Sequence, residues 1–337
     1  MTDLLYLGCA GSTEQELAGR AHIPFRTIAA GGVRSKMPWT AAANLIKLWV
    51  GGVQAYLAMG RFRPDAILVT GGYVSVPVAL AGRLRRVPLL IYLPDIVPGL
   101  AIQRLARWAT RIAVSFEDTL TYFEKGKAVV TGYPVRADFL GADQAQARQR
   151  LRLRSELPVA TIVGGSRGAH RINVAVAATL AELLPACQLV HICGHEDAPA
   201  ALDQRTKLPA ELQERYHPYA YLHDEMTAAL AAADVVVARA GASTLGELPV
   251  LGLPGILVPY PYSGQHQDAN ADYLVRHGAA VKVADADLER ELAPTLLGLL
   301  RDRDRLMEMA RCARALSQPD AARRIAAELQ AVAADAR

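Results

Sequence analysis

Ser243, Thr244 and Glu247 close the run Val235–Glu247, VVVARAGASTLGE, and their types and spacing suit an anionic ligand that carries a sugar. The run reads as a buried strand, a glycine turn and a helix opening on Ser243 and Thr244. A helix start presents N–H groups without intrahelical partners and a partial positive charge, which suits a phosphate or diphosphate. Glu247 lies one turn in, where a carboxylate can take the hydroxyls of an attached sugar. Its bland alternative is an ordinary first-turn acid favoured by the helix dipole.

Four other segments have the same character. In Ile162–Ala169, IVGGSRGA, a strand runs into a glycine turn and a helix, and the Ser166 hydroxyl can hold phosphate oxygens. The segment lacks both the P-loop ending and the GxGxxG spacing. In Pro259–Asn270, PYPYSGQHQDAN, polar side chains fall at the carboxyl edge of a sheet, where open α/β sheets take ligands. Gln267 and His266 can hydrogen-bond sugar hydroxyls there without adding a charge. Thr70–Pro77, TGGYVSVP, again follows a strand and suits a second phosphorylated substrate. In Gly132–Arg136, GYPVR, the Arg136 guanidinium can meet a diphosphate. Singly, these are also readable as turns, a polar loop and a surface arginine. Together, in order after strands and in two halves, they form a pattern.

The elements that must position them alternate between short apolar runs and amphipathic helical stretches, which predicts βαβ units and parallel sheets. Strands are expected at Leu4–Gly8, Ala66–Thr70, Leu89–Leu93, Arg111–Val114, Ala128–Thr131, Ala160–Val163, Gln188–Ile192, Val235–Ala238 and Gly255–Pro259. Helices are expected over Thr40–Met59, Leu140–Glu156 and Arg301–Ala334. At 337 residues the chain has room for about two α/β domains. The expected division is 1–136, 137–310 and a C-terminal helix, 311–337, that can pack back on the first domain. The first 136 residues hold 16 Lys/Arg against 8 Asp/Glu, and the remainder 21 against 25. A basic first half suits acidic lipid headgroups or simply a solvated basic face. No nucleic-acid reading motif accompanies it. Cys9, Cys187, Cys193 and Cys312 lack metal-ligand or disulfide spacing, which fits a reducing cytoplasm. No N-terminal stretch reads as a secretion signal, and no uncharged apolar run reaches about 18 residues.

On these residues the chain resembles the MurG family, the UDP-N-acetylglucosamine:lipid-linked muramyl-peptide N-acetylglucosaminyltransferases. The likeness is carried by IPF at 23–25, GGVR at 31–34, TGGYVS at 70–75, GYPVR at 132–136, GGSRGA at 164–169, RAGASTLGE at 239–247 and PYPYSGQHQDAN at 259–270. It implies an α/β chain of GT-B type, two Rossmann-like doubly wound domains facing a cleft. It also implies inverting transfer of GlcNAc from UDP-GlcNAc to the C4 hydroxyl of undecaprenyl-diphospho-MurNAc-pentapeptide, lipid I to lipid II. That step serves peptidoglycan synthesis, and with it cell-wall biogenesis, cell shape and cell division, at the cytoplasmic face of the plasma membrane. The implied partners are UDP-GlcNAc, the undecaprenyl-diphosphate-linked acceptor and an anionic membrane surface. No cofactor or metal is implied, and no DxD-type motif is present.

Carried over residue by residue, Arg136 and Ser166 meet the donor diphosphate. The run Ala242, Ser243, Thr244, Leu245, Gly246, Glu247 holds ribose and diphosphate, with Glu247 on the ribose hydroxyls. Gln267 and His266 hold GlcNAc hydroxyls, and Leu222 packs by uracil. Gly71, Gly72, Tyr73 and Ser75 face the acceptor diphosphate. The segment Trp39–Phe62, with Leu45, Ile46, Trp49, Tyr56, Leu57, Lys47, Arg61 and Arg63, and then Arg83, Arg85 and Arg86, resembles the family's membrane-docking face. Core packing is the other reading, and is expected to take at least half of its apolar residues.

The chain departs from the family in places. The family opens on a strand and a loop of the form GGTGGH, which supplies the candidate base; here Met1–Gly8 reads like the family's second strand. Roughly 30 residues, the size of a βα unit, are missing. The expectation is an upstream start codon, with that strand and loop encoded in frame. A sheet without this central strand exposes two edges or closes up. The catalytic base is not assigned; Asp95 is a weak stand-in. Val76 replaces a Gly, Tyr92–Asp95 replaces HEQN, and Tyr133 replaces an Asn. These changes leave two alternatives open: a related GT-B transferase with another lipid acceptor, and a catalytically inactive UDP-sugar-binding protein.

Overall fold

A computed structural model describes residues 2–31, 38–164, 169–223, 225–262 and 266–335, with backbone alone for 38–43. The chain divides into two compact units, Met1–Thr131 with Ala322–Arg337, and Gly132–Ala321. The division thus falls at Thr131, a little before Arg136, because Tyr133 packs on Gly246 and Gly132 lies against Gln318, both within the second unit.

In the first unit the apolar runs form β1 (Tyr6–Gly8), β2 (Phe25–Thr27), β3 (Ile67–Val69), β4 (Leu89–Leu93), β5 (Arg111–Val114) and β6 (Ala128–Val130). All pair in parallel, but in two sheets, β1-β2 and β3-β4-β5-β6. Among the described residues β1 and β3 each have a partner strand on one side alone, and Leu68 in the middle of β3 is 41% exposed. The two sheets share one apolar core. Ala55 and Met59 of the helix Pro38–Phe62 meet Ile28, just past β2, and Ile67 and Val69 of β3. Gln54 of that helix accepts the Ala29 N–H at 2.7 Å. β4 is buried on both faces, as parallel strands between helices are. Leu89, Ile91 and Leu93 pack with Val78 and Ala79 of the helix Ser75–Leu84, while Leu90 and Tyr92 pack with Ile325 and Leu329 of the helix Ala321–Ala334.

The second unit contains β7 (Val159–Val163), β8 (Gln188–Ile192), β9 (Tyr216–Tyr219), β10 (Val235–Ala238), β11 (Gly255–Leu257) and β12 (Ala280–Lys282). They form one parallel sheet of order β12-β11-β10-β7-β8-β9. The chain starts at the centre, runs outward to β9, then returns to the other side of β7 at β10. A switch point of this kind opens a crevice outside the carboxyl ends of the two central strands. The helices His170–Leu183 and Leu288–Arg301 cover one face, and Met226–Ala231 the other.

Two helices differ from expectation. The stretch Arg301–Ala334 is two helices, Arg303–Ala315 and Ala321–Ala334. Pro319 lies between them; it lacks an N–H and turns its predecessor out of helical geometry. The helix over Leu140–Glu156 contracts to Gln144–Arg150, where the Asp143 carboxylate caps the Gln146 N–H at 2.8 Å.

Candidate functional site

Gly164 at the end of β7, His170 at the start of the helix that follows, and the loop after β10 meet at the switch point of the second unit. After β10 the chain turns at Gly241 and enters the helix Thr244–Leu251. Thr244 Oγ1 donates to the Gly241 carbonyl, and the Ser243 carbonyl accepts the Gly246 and Glu247 N–H groups at 3.0 and 2.9 Å. Buried Asn270, on the helix His266–Arg276, donates to the Ala240 carbonyl at 3.1 Å and ties that helix to the turn. Gln267 Oε1 accepts the Tyr260 N–H at 2.8 Å, which makes its amide nitrogen the group available to a ligand.

Ser243, Thr244, Glu247 and Gln267 line one cavity of about 740 Å³, together with Gly164 at the end of β7 and His170. Two arginines sharing one partly buried carboxylate form part of one wall. Arg239 Nη1 lies 2.6 Å from Asp285 Oδ1, and Arg171 Nε lies 2.7 Å from Asp285 Oδ2. Arg239 also lies under the Tyr260 ring, 5.3 Å from its centroid. Burial pushes the Glu247 carboxyl up to about 7; nearby Arg136 opposes this and Asp138 adds to it. At neutral pH Glu247 is therefore poised between acceptor and donor.

The other expected ligand residues are placed differently. Ser166 lies outside the described residues. Leu245 is 1% exposed, so only its backbone faces the turn. Gly246 lies under Tyr133: a Cβ there would sit 2.4 Å from the ring. Ala242 and His266 flank the cavity without lining it. Arg136 does not line it either; its Nη2 donates to Thr227 Oγ1 at 2.9 Å, its Nε lies 3.6 Å from Asp138, and Thr227 donates to Asp138 at 2.6 Å. Leu222 is 5% exposed and packs into the apolar cluster with Val190, Ile192 and Ala229, away from the cavity. The exposed neighbour is Tyr221, whose ring meets His223 edge-on at 4.5 Å.

In the first unit, Gly71 and Gly72 hold φ of 107° and 76°, which only glycine adopts cheaply. Ser75 was expected to face a diphosphate, but it is 5% exposed and its hydroxyl donates to the Gly71 carbonyl. It holds the turn, and Tyr73 is the side chain turned outward, at 61% exposed. Asp95 is half-buried just past β4. On the helix Pro38–Phe62 the core side chains are Ala55, Ala58 and Met59, whereas Leu45, Ile46, Trp49 and Leu57 are each more than half exposed. Core packing therefore takes far fewer of its large apolar residues than expected. Leu80 and Leu84 of the helix Ser75–Leu84 are exposed as well, and Arg85 caps the pair by donating to the Tyr56 carbonyl at 2.7 Å. Among the described residues no helix is long and apolar enough to cross a membrane, and no cluster of His, Cys, Asp or Glu is arranged to hold a metal.

Residues 2–114 match the glycosyltransferase family 28 N-terminal domain, and residues 159–325 the family 28 C-terminal domain. A UDP-N-acetylglucosamine--N-acetylmuramyl-(pentapeptide) pyrophosphoryl-undecaprenol N-acetylglucosamine transferase from Roseiflexus sp. strain RS-1 is 44% identical, over 96% of this chain and 82% of its own. The protein of the same name from Moorella thermoacetica is 38% identical, over 95% of this chain and 88% of its own. The chain belongs to the MurG family. The solved Acinetobacter baumannii MurG superposes with a TM-score of 0.75 at 27% identity, covering 96% of this chain and 90% of that one. Membership fixes the GT-B class, with two Rossmann-like units, as the resemblance implied.

Within this family frame, the motifs left several contributors to the cavity without a role, His170, Arg171, Tyr260 and Asp285 among them. His170, which opens the helix His170–Leu183, lies just beyond the motif Ile162–Ala169. Tyr260 was read only as part of a polar loop. Asp285 lies far along the chain from Arg239 and Arg171 and carries no local signal.

Proposed function

We propose that the protein transfers GlcNAc from UDP-GlcNAc to the C4 hydroxyl of undecaprenyl-diphospho-MurNAc-pentapeptide, with inversion, converting lipid I to lipid II in peptidoglycan synthesis. The observation that carries this reading is the cavity at the β7/β10 switch point, where Glu247, Gln267 and the Gly241–Thr244 turn converge. The turn's N–H groups suit the diphosphate. Glu247 as carboxylate accepts the ribose hydroxyls, and the Gln267 amide donates to a sugar hydroxyl. In the reaction the C4 oxygen bonds to the anomeric carbon as the bond from that carbon to UDP breaks. The hydroxyl proton goes to a base, and the charge growing on the diphosphate is met by fixed dipoles, not by a metal.

The protein acts as a peripheral enzyme at the cytoplasmic membrane face. The exposed Leu45, Ile46, Trp49, Leu57, Leu80 and Leu84, rimmed by Arg61, Arg63, Arg83, Arg85 and Arg86, support that placement. A second reading, transfer to another lipid-linked acceptor, is favoured by the inward-turned Ser75 and by Asp95. The test is turnover of UDP-GlcNAc against a panel of lipid-linked acceptors. Formation of lipid II is expected, and Glu247→Ala should weaken UDP-GlcNAc at least tenfold. A chain that binds no UDP-GlcNAc, or an unaffected Glu247→Ala, would refute the reading.

A further inference from the structure

We propose that His170 is a phosphate-contacting residue of the donor cavity, its imidazole oriented by Asp197 at the end of a buried hydrogen-bond chain. The inference rests on the UDP-sugar reading above and concerns a residue that this reading does not use.

The chain starts in the core. Tyr216 and His191 are each 1% exposed, and the Tyr216 hydroxyl lies 2.9 Å from His191 Nδ1. His191 Nε2 lies 2.9 Å from Asn173 Oδ1. An amide oxygen only accepts, so Nε2 carries the hydrogen. Burial also holds this imidazole neutral, down to about 4, so Nδ1 accepts from Tyr216. The Asn173 amide is thereby fixed in orientation. Its nitrogen donates to the Cys193 carbonyl at 2.7 Å and to Asp197 Oδ2 at 2.6 Å. Burial alone would raise Asp197, but the hydrogen bonds from Asn173 and His170 outweigh it, so the group stays ionised.

The other oxygen, Asp197 Oδ1, lies 2.9 Å from His170 Nδ1. A carboxylate only accepts, so Nδ1 carries its hydrogen, and Nε2 is the nitrogen left for the cavity that His170 lines with Ser243, Thr244 and Glu247. The imidazolium form has an N–H at both nitrogens, so with Nδ1–H held by Asp197 its Nε2–H is the one left to donate to a phosphate oxygen. Among the described residues that line the cavity, Arg171 and Arg239 are both turned to Asp285, and Glu247 lies on the helix across the cavity. The ring is largely exposed, so its role is not to fill the core. Four side chains in series, one of them a neutral buried histidine, hold its orientation.

The test is calorimetry on the full chain with uridine, UMP and UDP. His170→Ala should weaken UDP about tenfold and leave uridine unchanged, because only a phosphate meets the imidazole. His170→Gln, which keeps an N–H donor, should recover part of the loss, and Asp197→Asn should lose less than His170→Ala. The first phosphate whose addition restores the difference between wild type and His170→Ala identifies the oxygen contacted. Unchanged UDP affinity in His170→Ala, or equal loss for uridine and UDP, overturns the assignment. A wild-type chain that binds neither UDP nor uridine overturns the UDP-sugar reading instead.

Discussion

Glu247→Gln should stabilise the ligand-free second unit, and the gain should grow with pH. The buried carboxyl is raised from its ordinary value of 4.5 to about 7. At about 1.4 kcal/mol per pH unit, keeping it ionised in that setting costs about 3 kcal/mol. The direction follows from proton binding. Between 4.5 and about 7 the folded carboxyl holds a proton that the unfolded chain has released. Stability therefore falls as pH rises through this window and levels off above it. The amide has similar shape and no charge, so it escapes the penalty. The two proteins should differ by about 1 kcal/mol at pH 5 and by about 3 kcal/mol at pH 8. All three tryptophans, Trp39, Trp49 and Trp108, lie in the first unit, so fluorescence is the wrong probe. Equilibration in urea at each pH, then a brief hydrogen-exchange pulse at one fixed pH read on β7 and β10 peptides, reports the second unit. Ligand binding should move the other way: uridine, which has ribose hydroxyls and no phosphate, should tighten in the wild type as pH rises through about 7. In Glu247→Gln it should be weaker and insensitive to pH. A stability gap that does not change between pH 5 and pH 8, or a variant less stable at pH 8, would refute this account of the Glu247 environment.

Gly246→Ala places a Cβ 2.4 Å from the Tyr133 ring and should cost about 1–3 kcal/mol in urea denaturation. Adding Tyr133→Ala should recover most of it; no recovery would mean that the ring is not the obstacle. Replacing Leu45, Ile46 and Trp49 together by Ser should lower binding to anionic vesicles at least tenfold in sedimentation, with an unchanged circular dichroism spectrum. Equal binding would move the docking face elsewhere.

The central strands of the second unit were legible because they are continuous apolar runs buried on both faces, such as VVVA at 235–238. The strands that escaped notice, β2, β9 and β12, all lie at sheet edges. β9 is YHPY, and Pro218 is tolerated because one side of an edge strand needs no donor. β2 and β12 each carry a basic residue in a three-residue strand, too short to show alternation. The site was legible in the same uneven way. Ser243, Thr244, Glu247 and Gln267 converge because each sits in the connection or first helical turns that follow β10 or β11, and the topology does the rest. Arg136 and Leu222 are placed by partners outside their motifs, Thr227 with Asp138 and the apolar cluster around Val190, and Ser75 is turned inward by the Gly71 carbonyl of its own motif. The His170–Asp197 pair spans 27 residues and could not be read from spacing.

The helix Ala321–Ala334 covers Leu90, Tyr92 and Ala113, on strands made more than two hundred residues earlier. A ribosome emits the chain in order, so all of Gly132–Ala321 emerges before that helix is complete. The unit carrying Glu247 can therefore finish folding while the unit that leads the chain still shows Leu90 and Tyr92 to water. Maturation can run against the direction of synthesis: the second unit is free to close first, while the first waits for the helix Ala321–Ala334. A nick in the Leu316–Asp320 connection would then strike the first unit, although the break lies within the second.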